Sequence, residues 1–185
     1  MQIKIDNGNH IVFSANNNFI DFCKKIKSDH LIKEIAPNFL FFDSKNKIKW
    51  NLNLAGGLFN FLKNKEDRIP NANIFVYLEI LKFLIFKKSA TVYDLVGKSK
   101  IYKTFWEPLT IGVMNTSPKK ASATLLSNVL KQTIFKGPKK CVILQPLENW
   151  DETLIKKAQE KIKGDGGKIF FSSILKKINL DGNGN

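Results

Sequence analysis

The run "IFVYLEILKFLIF" at 74–86 sets the tightest limit on this chain. Only Glu79 and Lys82 interrupt its apolar residues. As an α-helix it would rise about 20 Å, well short of the roughly 30 Å hydrocarbon core of a bilayer. The run is therefore too short to cross a membrane and too greasy to stand in water. It has to be covered, by protein or by lipid. The surrounding pattern predicts a helix over 72–87, about 24 Å long, apolar on nearly all sides.

A length of 185 residues with 43% hydrophobic content allows one domain, or a domain and a half, with a real core. The formal net charge of +14 invites a nucleic-acid reading. Against it, Arg68 is the only arginine, and lysine lacks the planar fork that reads guanine and phosphate bidentately. Lysines are spread over every predicted element, as on a solvated surface, so no nucleic-acid partner is expected. Attraction to an anionic membrane surface remains open. Cys23 and Cys141 sit in apolar surroundings, far apart and without metal spacing, which predicts buried free thiols in a reducing compartment. The start "MQIKIDNGNH" has no apolar signal core, so a cytoplasmic location, peripheral to the membrane at most, is expected.

Along the chain, "NNNFIDFCKKIKS" puts Phe19, Ile20, Cys23 and Ile26 on one helical face. "NFLFFDSKNKIKWNLNL" predicts a hairpin in which Ile48, Trp50 and Leu52 alternate with polar residues. "AGGLFNFLKN" predicts a Gly-Gly turn into a short helix. Thr91 is expected to cap a short helix ending at Gly97, and Ser117–Pro118 to open another with Ala121, Leu125, Val129 and Leu130 as its core stripe. "CVILQP" predicts a short buried strand, and 151–163 a helix closed by "GDGG". "KIFFSSILKKINL" reads as strand-like. The fold class expected is α+β. Its segments are a strand-rich one at 1–54, a helical one at 55–136, a return segment at 137–180 and a disordered tail at 181–185.

Motifs with chemistry are few. "GKS" at 97–99 fails as a phosphate loop, because Val92 stands where a glycine is needed. His10 and His30 have no partner pattern for a metal, so none is expected. His30 reads as a surface residue. His10 closes "DNGNH", where a hairpin turn accounts for Asn-Gly but not for the flanking Asp6 and His10. In "FWEPL", Pro108 interrupts a helix carrying Trp106 and Glu107, with Asn115 further on. The residues alone leave a pocket wall and ordinary packing both open there.

Three stretches, "DNGNHIVFSANNNFIDF", "FWEPLTIGVMNTSPKKASATLLSNVL" and "GGKIFFSSILKKI", together resemble the squalene-associated FAD-dependent desaturases, also read as hydroxysqualene dehydroxylases. This family lies in the flavin amine oxidase and phytoene desaturase superfamily. Its pattern is Asp-Asn-Gly-Gln-His, then Trp-Glu-Pro-Leu, Asn-Thr-Pro-Pro and Ala-Ser-Ala. Here Asn9 replaces the Gln and Ser117 the first Pro of Asn-Thr-Pro-Pro. The family's Gly-rich FAD phosphate loop has no counterpart in the sequence. The resemblance thus implies a helical substrate domain flanked by strands of an incomplete FAD-binding domain, with a separate polypeptide as one source of the remainder.

Residue by residue, the resemblance places Asn7, Gly8 and His10 beside the flavin, and Leu175 against its adenine. Trp106, Asn115 and Thr116 would line the substrate pocket, and His10 or Glu107 would be the acid. The implied partner is a C30 isoprenoid and the implied reaction is reductive removal of an allylic hydroxyl. An oxidative carotenoid-type desaturase, an inactive remnant and a basic binding module are the rivals. Fifteen phenylalanines and the run at 74–86 are more apolar surface than a small helical domain needs, which suits a long hydrocarbon.

Overall fold

The structure is a computed structural model and describes residue 6 and residues 11–56, 67–86 and 89–177. They form an α+β fold. The described residues divide into two units. One contains Asp6, 19–32 and 146–177. The other contains 11–18 and the described residues of 33–145.

In the larger unit, β1 (Val12–Phe13) runs antiparallel to β5 (Ile143–Pro146), with Val12 opposite Leu144 and Phe13 opposite Ile143. β2 (Ile32–Ile35) flanks β5 on its other side. The expected hairpin is present as β3 (Asn38–Asp43) and β4 (Ile48–Asn53). Asp43 shapes its turn by accepting the Lys45 and Asn46 amides at 2.9 and 3.1 Å, and Lys47 takes the left-handed conformation. The ladder sets Phe41 opposite Trp50 and Phe39 opposite Leu52. Those four share one face. Leu40 and Phe42 point to the other and are exposed.

The apolar run departs from the single long helix expected. Asn73 caps α2 (Ile74–Tyr77) by accepting the Val76 amide, and the chain then tightens into a 3₁₀ helix at Leu78–Leu84. The Phe83 carbonyl bonds the buried Ser127 hydroxyl at 2.5 Å, and the helix stops one residue later. A 3₁₀ helix stacks residues three apart, so the sequence separates into rows. Ile80 and Phe83 go inward, while Leu78, Leu81 and Leu84 go outward.

The Thr91 cap is as expected. It opens α3 (Val92–Val96) with a capping box, its hydroxyl taking the Asp94 amide while the Asp94 carboxylate takes the Thr91 amide. The Ser117 cap is not. Residues 117–121 close a separate turn through Ala121 N–H to Ser117 O, and Ser122 caps α5 (Ala123–Gln132). Ala121 and Leu130 are buried as expected, but this start adds Ala123, Leu126 and Ser127 to the core face and leaves Leu125 exposed and Val129 half-buried.

In the smaller unit, α1 (Asn17–Lys25, mostly within it) buries Cys23, and Ile26 follows it into the interior. Burial pushes the Cys23 thiol above its ordinary pKa, as it does for Cys141 in the larger unit. Both thiols are free. The helix expected at 151–163 begins as a π-type turn (Asp151–Ile155) and continues as α6 (Lys156–Gly164). Asn149 caps it through the Glu152 amide, and the Asp6 carboxylate accepts the Trp150 amide at 3.0 Å. A carboxylate at a helix start meets the positive end of the dipole. That is a structural use for Asp6.

The strand expected after Gly167 is absent. Residues 168–177 have neither helix nor strand, and among the described residues none pairs with them as a ladder. The short helix expected after Gly56 lies outside the described residues, as does the tail at 181–185. No helix among the described residues is long and apolar enough to cross a membrane.

Candidate functional site

The segment "SKIYKTFWEPL" is folded by its proline. Pro108 has no amide hydrogen and cannot complete an ordinary helical turn behind it. The chain answers with a π-type turn at Tyr102–Trp106, in which the Trp106 amide reaches back five residues to Ile101 O at 3.4 Å. α4 (Glu107–Met114) follows directly, with the proline in its first turn. The wide turn lets two consecutive rings, Phe105 and Trp106, both go inward.

Those rings join a continuous ladder. Phe41 stacks on Trp50 at 4.0 Å and an interplanar angle of 9°. Trp50 meets Phe105 at 6.2 Å, Phe105 meets Trp106 at 4.9 Å, and Trp106 meets Phe83 at 5.3 Å. The indole N–H donates to Glu79 Oε2 at 3.3 Å, and Lys82 lies 3.7 Å from the other carboxylate oxygen. A buried indole needs such an acceptor. Thr110, fully buried, donates its hydroxyl to Trp106 O at 2.6 Å and holds the next turn.

Beside this ladder runs an apolar groove. Phe105, Trp106 and Ile101 form one wall, Val76, Tyr77 and Ile80 a second, and Leu52 and Leu54 of the hairpin strand and its exit a third. Its polar side chains are few: Asp67, itself buried, Asn53 and the Tyr77 hydroxyl. The Tyr77 hydroxyl is fixed by accepting the Ile69 amide at 2.9 Å. Burial raises the Tyr77 pKa, so the phenol stays neutral. The enclosed space is about 40 Å³, and the cleft with its open mouth about 530 Å³. The enclosed figure is the one comparable with the roughly 300–1,000 Å³ of ligand sites and is far below it, so this is a shallow open groove and not a sealed tunnel.

The sequence-predicted residues are placed unevenly. Trp106 lines the groove. Glu107 is not among its lining residues: its carboxylate takes Lys103 Nζ at 2.9 Å and the Tyr102 hydroxyl at 3.4 Å. Burial, then the Glu107 charge, raises the Tyr102 pKa, and the Glu107 hydrogen bond raises that of Lys103. Asn115 closes α4 in the left-handed conformation (φ 48°), donating its amide to Ile111 O at 2.8 Å. Thr116 bonds Met114 O at 2.9 Å. Both sit at the helix end remote from Trp106, Asn115 about 13.5 Å away along the axis. Leu175 is exposed in the irregular stretch. Asn7, Gly8 and His10 lie outside the described residues, and His30 is exposed.

Glu79 and Tyr77 carry weight that sequence reasoning missed. A lone carboxylate inside an apolar run was the signal for Glu79. Two partners answer that carboxylate, the Trp106 indole and Lys82.

The described residues do not by themselves fit a dinucleotide. The helices of eight or more residues begin at Asn17, Glu107, Ala123 and Lys156, and none is entered through a Gly-rich turn that could bring backbone amides onto a pyrophosphate.

No protein-family model matches the chain. Curated relatives do. It is 28% identical over 183 residues to a hydroxysqualene dehydroxylase of Zymomonas mobilis, covering 97% of this chain and 44% of that protein. It is 26% identical over 183 residues to one of Sinorhizobium fredii, covering 95% and 43%. A Rhodopseudomonas palustris protein of the same name matches at 27% over 177 residues, 94% of this chain and 42% of that protein. The chain thus spans less than half the length of the curated relatives it matches.

Proposed function

We propose, from the premise that this chain is homologous to part of the hydroxysqualene dehydroxylases, that it forms the isoprenoid-binding part of such an oxidoreductase. The observation that carries this reading is the groove walled by Phe105, Trp106, Val76 and Ile80 against an aromatic ladder. Hydrocarbon binding needs apolar area with few polar demands, each buried CH₂ contributing about 0.8 kcal/mol. The substrate is hydroxysqualene, whose allylic hydroxyl leaves with a proton. The faces of Trp106 and Phe105 would favour positive charge on the carbon left behind.

His10 is the proton donor we favour over Glu107, which is engaged by Lys103 and Tyr102 away from the groove. FAD belongs with the part of the relatives that this chain does not match, and Asn7, Gly8 and Leu175 are proposed to meet it from this side. That remainder, on further polypeptide, is the partner required. The assembly would work in the cytoplasm at the inner face of the membrane.

The test is retention of hydroxysqualene, delivered from cyclodextrin, through gel filtration of the purified chain. Stoichiometric retention is expected. Trp106→Phe should keep the fold and weaken retention several-fold. Phytoene held more tightly than hydroxysqualene would point to a desaturase instead, and no retention of either would end the reading. Mixed FAD should separate from the chain on the same column.

A further inference from the structure

The 3₁₀ helix at Leu78–Leu84 has two apolar sides. Its inner side, with the turn before it, lines the groove through Val76, Tyr77 and Ile80. Its outer side is a ridge. Phe75, Leu78, Leu81 and Leu84 recur every third residue and are 74, 44, 42 and 43% exposed, with Ile85 beyond them at 86%. At 3₁₀ spacing Leu78, Leu81 and Leu84 stack in one row, with Phe75 on the α2 turn just before it, so the exposure is one strip and not scattered leucines.

Lysines outnumber carboxylates around the strip, with Lys82, Lys98 and Lys100 against Glu79 and Asp94, and Lys82 lies 3.7 Å from the Glu79 carboxylate. Lys82 lies on the same helix, half-exposed, and its ammonium reaches Leu95 O at 3.4 Å. That contact sets the helix beside α3, which runs on into exposed Lys98 and Lys100. The acidic neighbours are both occupied: Glu79 accepts the Trp106 indole, and Asp94 closes the Thr91 capping box. A row of large apolar side chains rimmed by lysine matches an anionic lipid surface. The apolar row inserts at the headgroup boundary and the ammonium groups meet phosphates. The excess of lysine over arginine suits this, since point charges on long stems need no fixed geometry.

We propose that the ridge Phe75–Leu78–Leu81–Leu84, with Lys82, Lys98 and Lys100, docks this chain on an anionic phospholipid bilayer, and that the helix bearing it passes hydrocarbon from that bilayer into the groove behind it. The second clause rests on the hydrocarbon reading of the groove. The first stands without it.

The experiment is flotation of the full chain with phosphatidylglycerol vesicles and with phosphatidylcholine vesicles. Binding to the anionic vesicles is expected, weakened but not abolished by 0.5 M salt (about tenfold), because the apolar row is insensitive to screening. Leu78→Glu/Leu81→Glu should lower binding at least about tenfold, and Phe75→Ser should lower it less. Both change exposed side chains, and circular dichroism should show the fold retained. Leu147→Glu, an equally exposed leucine elsewhere, should bind as the unaltered chain does.

Equal binding by the double variant, or no binding of the unaltered chain, overturns the proposal. So does a concentration-dependent dimer that the double variant abolishes, which would give the ridge to a second copy. Failure of the groove reading is separate: vesicles would float the chain while cyclodextrin-delivered hydroxysqualene passed it by.

Discussion

Residues 101–110, "IYKTFWEPLT", and 168–177, "KIFFSSILKK", have similar apolar content and opposite fates. In the first, Phe105 and Trp106 are 6 and 2% exposed. In the second, Phe170, Phe171 and Ile174 are 75, 68 and 88% exposed. The difference does not lie in hydrophobicity. The first segment carries its own instruction for regular structure, a serine start at Ser99 and a proline that forces the wide turn, and it meets rings from β4 and the 3₁₀ helix. The second reads as a strand, and a strand satisfies its backbone only through a neighbour. An apolar sequence states a need for cover. Whether cover exists is a property of other residues.

The sharpest way to break this comparison is truncation on both sides. Trp106→Ala or Phe83→Ala should destabilise the chain by about 3–5 kcal/mol, the usual range for a buried aromatic. Phe171→Ala should change stability by less than about 0.5 kcal/mol, as exposed positions do. Urea denaturation followed by circular dichroism measures both. A Phe171→Ala loss comparable to that of Trp106→Ala would mean that 168–177 is packed in solution after all.

Much of the fold was legible wherever a local signal acts alone. The Thr91–Gly97 helix, the hairpin around Asp43, the buried strand at Ile143 and the helix closed by "GDGG" each follow from a cap, a turn residue or a period of two. The misses share one cause. The 3₁₀ helix at 78–84 ends at a tertiary bond, the Ser127 hydroxyl donating to the Phe83 carbonyl from forty-four residues away in sequence. The start of α5 at Ala123 depends on Thr91 and Ser122 pairing as an isolated bridge. Of the site, the residues left Trp106 between pocket wall and ordinary packing, and its buried ring stands in the groove lining. Its acceptor Glu79 was not legible, since spacing within a chain cannot say which carboxylate faces which indole.

A finer test of the buried side is its tertiary polar bond. Ser127→Ala strands the Phe83 carbonyl in the interior, and loss of a buried partner costs roughly 1–3 kcal/mol. Asn115 gives a smaller effect with a built-in control. Asn115→Ala should cost about 1 kcal/mol, because a Cβ without a compensating side chain resists φ 48°. Asn115→Gly should be within about 0.5 kcal/mol of the unaltered chain. If Asn115→Gly kept full stability and lost hydroxysqualene retention, Asn115 would act on substrate and not merely end a helix.

The smallest expected effect is a pH dependence of two surface carboxylates that hold turns in the folded larger unit. The Asp94 carboxylate accepts the Thr91 amide and hydroxyl, each at 2.8 Å, and these bonds, the amide's foremost, hold its pKa below the ordinary value of 3.8. A pKa lowered by folding adds stability that is fully present above the unfolded value and is lost as pH falls through the folded one. The capping box should therefore be intact at neutral pH and weaken only below pH about 4. Asp43 behaves likewise through the Asn46 amide, so acid acts at both turns and Asp94→Asn is needed to separate them. The variant should be less stable than the unaltered chain at pH 7, and the gap should narrow toward pH 3 as the native carboxylate is itself neutralised. Residues 168–177 contain no carboxylate, so protease cleavage within them should not follow this titration. Cleavage there that rose in step with Asp94 protonation would tie the exposed segment to the buried one and dissolve the contrast between them.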